Sequence, residues 1–413
     1  MRRNPALTTV FLVVLVDLMG FGLVLPLLPF YASDFHASDI QIGILYSIFS
    51  AAQLIFSPLW GSLSDRFGRR PIMLLSTFGA AVSYVMFGLA DSYWMLLVSR
   101  AIAGIMGGNI SAAQAYIADV TKPEERAAGM GLIGAAFGLG FVIGPAAATA
   151  LLHPSFPSVM ESLGASAFSQ WVLAHKLEAP GFFAALLSFI SFLLVVFKLP
   201  ESVKEGATYG SARKGIFSAD FWRQFAPGTS ASPVIALLFA GTLFIWIGQG
   251  TMFSAFPMFC ERKLGMSPDK VGIQFFYIGI FTAVMQGFLL RMIAKRFSEK
   301  NLFLSGTILN TIAMFSYVVV DSQAALLVSL FIMATGNSLI QPSIASLISK
   351  EAKPEEVGSL LGTSQSVAGL GRVIGPAWGG FWISFGVNMP FLITGFILLP
   401  AIWMAVRLKR KTV

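Results

Sequence analysis

Charge is what this sequence has least of. Asp, Glu, Lys and Arg make up 12% of its 413 residues, about half the roughly 25% of a soluble globular domain. Cysteine is all but missing: Cys260 stands alone, which excludes an internal disulfide and any cysteine-built metal site. Histidine occurs only at His36, His153 and His175, with no ligand spacing among them. There is no G-x-x-x-x-G-K-[S/T] loop, so ATP is not the predicted energy source. Neither an HExxH helix nor a serine-triad setting is present. These absences point away from an enzyme and from any resident metal or cofactor.

What the chain has instead is apolar residues, 56% of it, with a mean hydropathy of +0.76. They are spread over the whole length, so lipid is the solvent that such a chain needs. The net charge of +8 does not predict a nucleic-acid partner, because the basic residues sit in short loops between long apolar runs. Spans are expected near 6–31, 40–61, 71–90, 93–118, 128–151 and 179–199. A second set falls near 232–257, 270–291, 301–320, 324–348, 358–383 and 387–406. Each is long enough to cross about 30 Å of hydrocarbon at 1.5 Å per residue. The first follows Met1-Arg2-Arg3 and is too long for a signal-peptide core, so it reads as a retained span. With the N-terminus inside, 22 Lys and Arg residues fall on the cytoplasmic side and four on the outer side (Lys176, Arg262, Lys263, Lys270). That asymmetry predicts a multi-pass protein of the cell (inner) membrane with both termini cytoplasmic.

Two interruptions are long. Residues 200–231 are polar and basic, with Lys204, Arg213, Lys214 and Arg223, and are expected to link two six-helix bundles, 1–199 and 232–413. Residues 152–178 form an outer loop with a mildly amphipathic stretch over Glu161–Leu177, read as a lid or surface helix without chemistry of its own. The halves repeat. Lys122-Pro123-Glu124-Glu125 returns as Lys353-Pro354-Glu355-Glu356 at an offset of 231, and Gly131, Gly140 and Gly144-Pro145 return as Gly362, Gly371 and Gly375-Pro376. Earlier, Gly20-x-Gly22 matches Gly248-x-Gly250, and Ser38 and Gly43 match Ser267 and Gly272. Two parallel six-helix repeats with a binding site between them near the midplane are one of the transporter architectures.

The segment Gly61-Ser62-Leu63-Ser64-Asp65-Arg66-Phe67-Gly68-Arg69-Arg70-Pro71-Ile72 resembles the loop 2–3 signature of the major facilitator superfamily. Gly131, Gly140 and Gly144-Pro145 resemble that superfamily's antiporter signature in span five. Asp17, Gly20, Pro26 and Pro29, with Ala115-Tyr116-Ile117-Ala118-Asp119 and Glu125-Arg126, resemble its drug:proton antiporter branch, which includes the tetracycline-resistance pumps. The resemblance implies an all-α membrane fold of twelve spans in two pseudo-symmetric bundles. It also implies that Asp65, Arg66, Arg69, Arg70, Asp119 and Arg126 form a cytoplasmic gate network. One departure stands out: the family motif in span five ends Gly-Gly, where this chain has Ala148-Thr149, while the span-eleven copy keeps Gly379-Gly380.

The residues support parts of this on their own. Gly140 and Gly144, like Gly371 and Gly375, permit close helix approach, and Pro145 and Pro376 each remove a helical hydrogen bond. Charges inside spans cost about 2.5–3.5 kcal/mol each at the helix centre, so the few present ask for a function. Asp17 lies about 16 Å from the cytoplasmic face and Arg100 about 10 Å from the outer one, so the two can meet if spans one and four adjoin. A carboxylate in low dielectric can carry a proton, and an arginine that approaches and retreats couples that proton to substrate; a static salt bridge is the other reading. Arg372 replaces the Phe141 of the first repeat and is left open between holding an anionic substrate group and snorkelling to the interface. Tyr31, Gln53, Asn109, Gln114, Trp246, Gln249, Met252, Gln341 and Gln365 are candidates for lining a substrate cavity with Arg372. The expected function is efflux of a lipophilic or amphipathic small molecule in exchange for protons, by a protein working as a monomer. An organic-anion carrier built on Arg100 and Arg372 is the alternative.

Overall fold

A chain in lipid must satisfy every backbone polar group within itself, and a helix does so locally. The computed structural model describes residues 5–122, 125–203, 233–353 and 356–410, and these are helical with no strand among them. The first half runs through α1 (Pro5–Val24), α2 (Leu28–Asp34), α3 (Asp39–Phe67), α4 (Arg69–Gly88), α5 (Tyr93–Met106), α6 (Asn109–Val120) and α7 (Arg126–Leu152). Two short helices, α8 (Phe156–Ser162) and α9 (Ser166–Ala174), precede α10 (Ala179–Lys198). The second half comprises α11 (Pro233–Leu264), α12 (Pro268–Val284), a π-helical turn (Met285–Leu289) and α13 (Leu290–Ala294). It ends with α14 (Glu299–Val319), α15 (Gln323–Glu351), α16 (Val357–Ile383) and α17 (Met389–Arg410). Most of the expected linker, and Pro123, Glu124, Pro354 and Glu355 of the repeated motif, lie outside the described residues.

Among the described residues, eleven helical stretches are long and apolar enough to span a bilayer. The twelfth expected span is α16, 27 residues long. Its glycines, serines, Gln365 and Arg372 dilute its hydropathy, and its glycines serve close packing against α11. Twelve spans therefore stand.

The described residues divide into two compact units, one of residues 5–37, 52–203 and 266–276, the other of 38–51, 233–265 and 277–410. Each is packed by the same plan. In the first, α1 lies on α7 and α10, and α4 lies on α10 and α5; in the second, α11 lies on α16 and α17, and α14 lies on α17 and α15. The repeat seen in sequence is thus a repeat of helix contacts. It extends to the second glycine of each span pair: Gly43 lies against the Pro376 carbonyl in one unit, and Gly272 against the Pro145 carbonyl in the other.

The first half departs from this symmetry in two places. Span one is broken at Leu25-Pro26-Leu27 and span four at Gly107-Gly108, whereas their counterparts α11 and α15 are continuous. At the second break Trp60 of α3 donates its indole Nε1–H to the Ile105 carbonyl, and Gln53 Nε2 reaches the Gly107 carbonyl at 3.5 Å. Carbonyls released by the break therefore find side-chain donors, as a membrane interior requires.

Candidate functional site

Asp17 stands in α1 with α6 and α10 beside it. The break in span four makes Asn109 the first residue of α6, and its Nδ2 donates to Asp17 Oδ2 at 2.6 Å. Buried Ser188 of α10 lies beside the same carboxylate. Asn109 itself is 1% exposed, and its Oδ1 has no hydrogen-bond partner among the described residues.

Arg100, buried in α5, lies over two rings of α4: its Cζ is 5.3 Å from the Tyr84 centroid and 4.9 Å from that of Phe87. It also donates a hydrogen bond to the Tyr84 hydroxyl, and Tyr84 lies in the field of both Arg100 and Asp17. Gly20, almost one turn after Asp17, lies beside the Tyr84 ring. The charges that sequence reading set side by side thus share Tyr84, a residue it did not single out. An aromatic hydroxyl gives no span-level signal, because Tyr is common in such helices.

The second unit has its own polar centre. Arg372 of α16 lies over the Trp246 ring of α11, 4.9 Å from the centroid, and no carboxylate pairs with it among the described residues. Asn310 Nδ2 donates to Asn337 Oδ1 at 2.7 Å, joining α14 to α15. Gln249 and Gln341 are half-buried in this unit. The remaining cavity candidates are scattered. Met252 is buried in packing, Tyr31 is buried with its hydroxyl donating to the Ala90 carbonyl at 2.9 Å, and Gln114 and Gln365 are exposed.

At the α3–α4 turn the charged residues converge on one arginine. Arg69, 3% exposed, pairs through Nη1 with Asp65 at 2.5 Å and through Nε with Asp119 at 3.0 Å, and donates to Ser64 Oγ at 2.7 Å. Two planar edges of a guanidinium are used at once, which lysine cannot imitate. Sequence reading missed Glu201, whose carboxylate accepts the backbone N–H of Arg69 at 2.9 Å and of Arg70 at 3.1 Å. It serves as the anion that the free N–H groups at a helix start attract. Gly68 makes room: its φ is +102°, and a Cβ there would sit 2.5 Å from Glu201 Oε2. Ser202 closes the cluster by donating to Asp119 at 3.0 Å. Arg70 instead donates to the Val196 carbonyl, Arg126 to the Ala118 carbonyl, and Arg66 lies over Phe67.

The glycine ladders find their partners in the repeated glycines of spans one and seven. A Cβ on Gly144 would lie 2.6 Å from the Met19 carbonyl and 2.9 Å from Gly22 Cα; one on Gly375 would lie 2.7 Å from Gly250 Cα. Gly140 faces Leu18 and Gly371 faces Trp246, while Pro145 abuts Gly22 and Pro376 abuts Gly250. Gly131 and Gly362, by contrast, face open space. Thr149, standing where the family has a second glycine, donates its hydroxyl to the Asp269 carbonyl at 3.2 Å.

Comparison with known proteins agrees with this architecture. A human organic anion transporter, MFSD10, superposes with a TM-score of 0.68 at 24% identity, covering 98% of this chain and 100% of that one. A bacterial homologue of the human lysosomal transporter Spinster superposes at 0.76 with 18% identity, covering 99% and 98%. These share the fold. In sequence, the chain is 30% identical over 376 residues to the class B tetracycline resistance protein of Escherichia coli, across 90% of this chain and 87% of that protein. It is 28% identical over 415 residues to multidrug resistance protein 2 of Bacillus subtilis, across 98% and 96%. The family description Major Facilitator Superfamily matches twice, over residues 10–237 and 238–413, the same two halves that the glycine contacts repeat. The chain is a multi-pass membrane transporter and belongs to the major facilitator superfamily.

Proposed function

We propose that the protein exports a lipophilic or amphipathic small molecule in exchange for protons, by alternating access, with Asp17 as the proton carrier. The observation that carries this is the Asp17–Asn109 pair: the one mid-span carboxylate is bonded to a side chain that is both donor and acceptor. An amide can serve the carboxylate through Nδ2 and, after rotation, the protonated acid through Oδ1. Both protonation states are thereby accommodated inside the span. Tyr84 and Arg100 form the neighbouring polar chain through which substrate occupancy would act on that proton. The tetracycline and multidrug resistance names of the relatives support the substrate class and the direction of transport.

The Arg69–Asp65–Asp119–Glu201 cluster acts in this reading as the cytoplasmic gate, breaking and re-forming as access alternates. Bundles 1–199 and 232–413, joined by 200–231, would alternate as two bodies, each held together internally by its own glycine contact, Gly22–Gly144 in one and Gly250–Gly375 in the other. Both termini face the cytoplasm, the membrane is the cell (inner) membrane, and the working unit is a monomer. A second reading has one observation in its favour: Arg372, stacked on Trp246 and without a carboxylate partner among the described residues, is suited to an anionic group on the substrate.

Purified protein in sealed vesicles loaded with a pH-sensitive dye tests the proposal. Lipophilic cations, neutral lipophiles and organic anions are added one at a time. A compound that drives proton flux in the wild type and none in Asp17→Asn supports the exchange mechanism. Transport without proton movement, or unaltered flux in Asp17→Asn, overturns it.

A further inference from the structure

The segment between α7 and α10 is larger than a connection needs and is folded as a helical hairpin, α8 and α9. Several of its apolar side chains are turned out. Val159 and Leu163, one turn apart across α8 and its C-terminus, are 50% and 71% exposed, and Leu173 is 44% exposed. Phe168 and Trp171 stack at 6.4 Å, Trp171 stacks on His175 at 5.1 Å, and Trp171 meets Phe182 of α10 edge-on at 5.6 Å. Ser158 and Glu161 are exposed as well, on the other side of α8 from Val159 and Leu163. In water an apolar edge of this kind is a liability. Here it is anchored at both ends to membrane spans: α7 runs into it at Leu152 and α10 leaves it at Ala179. The hairpin is therefore held at the depth where spans end.

We infer that the α8–α9 hairpin lies in the membrane–water interface, with Val159, Leu163 and Phe168 dipped among lipid acyl chains and Ser158 and Glu161 turned to water. Three observations select lipid as the occupant. The apolar edge continues the lipid-facing surface of α10, where Leu186 and Phe189 are 51% and 41% exposed. The aromatic stack on Phe182 has the composition of an interfacial belt, an apolar ring body with a polar tip at headgroup level. A cavity of about 250 Å³ opens beneath the hairpin, with Leu151, Leu152 and Val172 among its apolar lining and His153 and Lys176 as its basic groups. An apolar lining with the ammonium of Lys176 beside it matches the glycerol end of a phospholipid and its phosphate. Only the side of the membrane rests on the topology proposed above; contact with the interface does not.

Nitroxide labels at single introduced cysteines test this on the full chain in phosphatidylcholine–phosphatidylglycerol vesicles. Cys260 is buried, so the wild type carried through the same labelling serves as the blank. Power saturation is compared in oxygen, which concentrates in lipid, and in a water-soluble nickel chelate. Leu163→Cys and Phe168→Cys are expected to be several-fold more accessible to oxygen than to the chelate, and Glu161→Cys the reverse. Equal chelate access at Leu163 and Glu161 would mean a loop in water. A Leu163 label immobile and closed to both reagents would mean a lid packed on protein. Either result overturns the inference, and neither bears on proton flux through Asp17.

Discussion

Asn109 Nδ2 donates to Asp17 Oδ2 across 2.6 Å, tying the first residue of α6 to the middle of α1. The contact exists because span four breaks at Gly107-Gly108, since a continuous helix would turn residue 109 differently. A Cβ on Gly108 would run into the Trp60 ring, so the break and the indole are fitted to each other. A hydrogen bond to a charged group contributes about 1.5–3 kcal/mol. Asn109→Leu is therefore expected to reduce substrate-driven proton flux by about 10- to 100-fold, from the same energy range. Asp17→Asn is expected to abolish it. Vesicle flux measured for both, with substrate binding to each variant, separates lost coupling from lost binding. Asn109→Leu at wild-type flux would remove the pair from the mechanism.

Arg69 and Arg66 are three residues apart and carry the same charge, yet only Arg69 is built in. Replacing Arg69 by lysine keeps the charge and loses the simultaneous reach to Asp65, Asp119 and Ser64. Arg69→Lys is expected to cut transport at least tenfold, whereas Arg66→Lys, whose guanidinium lies over Phe67, is expected to stay within twofold. Transport rates normalised to protein in the membrane decide the matter. Equal effects at both positions would mean that charge alone matters at this turn.

Glu201 accepts two backbone N–H groups at the start of α4. Loss of one such cap costs about 0.5–2 kcal/mol. Glu201→Ala is expected to lower the melting temperature in detergent by several degrees, and Glu201→Gln, which keeps an acceptor oxygen, by less. A pure charge effect would give both variants the same loss.

Glycines in one ladder differ in what surrounds them. Gly144 has Met19 and Gly22 within 3 Å of where a Cβ would stand, while Gly131 has open space. Gly144→Val is expected to yield little folded protein, since overpacking costs about 1–3 kcal/mol and here meets backbone that cannot yield. Gly131→Ala is expected to express and transport as wild type. The symmetric substitution Gly375→Val, against Gly250, should reproduce the Gly144 result. Tolerance of valine at either position, measured by size-exclusion profile and yield, would sink the reading of these glycines as helix contacts.

Much of the fold was legible because lipid enforces it. Spans, repeat and glycine ladders follow from hydropathy and offset, and the positional pairing of Gly22 with Gly250 matches the equivalent contacts they make with Gly144 and Gly375. What stayed hidden were partners supplied by residues without a rare chemical signature. Tyr84 is one tyrosine among eight, and Glu201 sits at a span end, where a carboxylate raises no question. The two helix breaks also escaped. Pro26 looks like ordinary span composition, and so does Gly107-Gly108 until Gln53 and Trp60 are seen holding the carbonyls at that break.

Arg372 separates the two substrate classes. Its guanidinium rests on Trp246, and no carboxylate pairs with it among the described residues, which suits it to an anionic group that arrives with a substrate. If such a group pairs with it, Arg372→Gln should weaken binding of organic anions by at least tenfold and leave lipophilic cations within twofold, because a desolvated charge pair loses more than a neutral contact. Trp246→Phe keeps a ring face under the cation and should change anion binding less than Arg372→Gln does. Equilibrium binding of a fluorescent organic anion and of a fluorescent lipophilic cation to detergent-purified variants reads both effects. Unchanged anion binding in Arg372→Gln would leave this arginine a structural partner of Trp246 and leave proton-coupled export of lipophiles as the single reading.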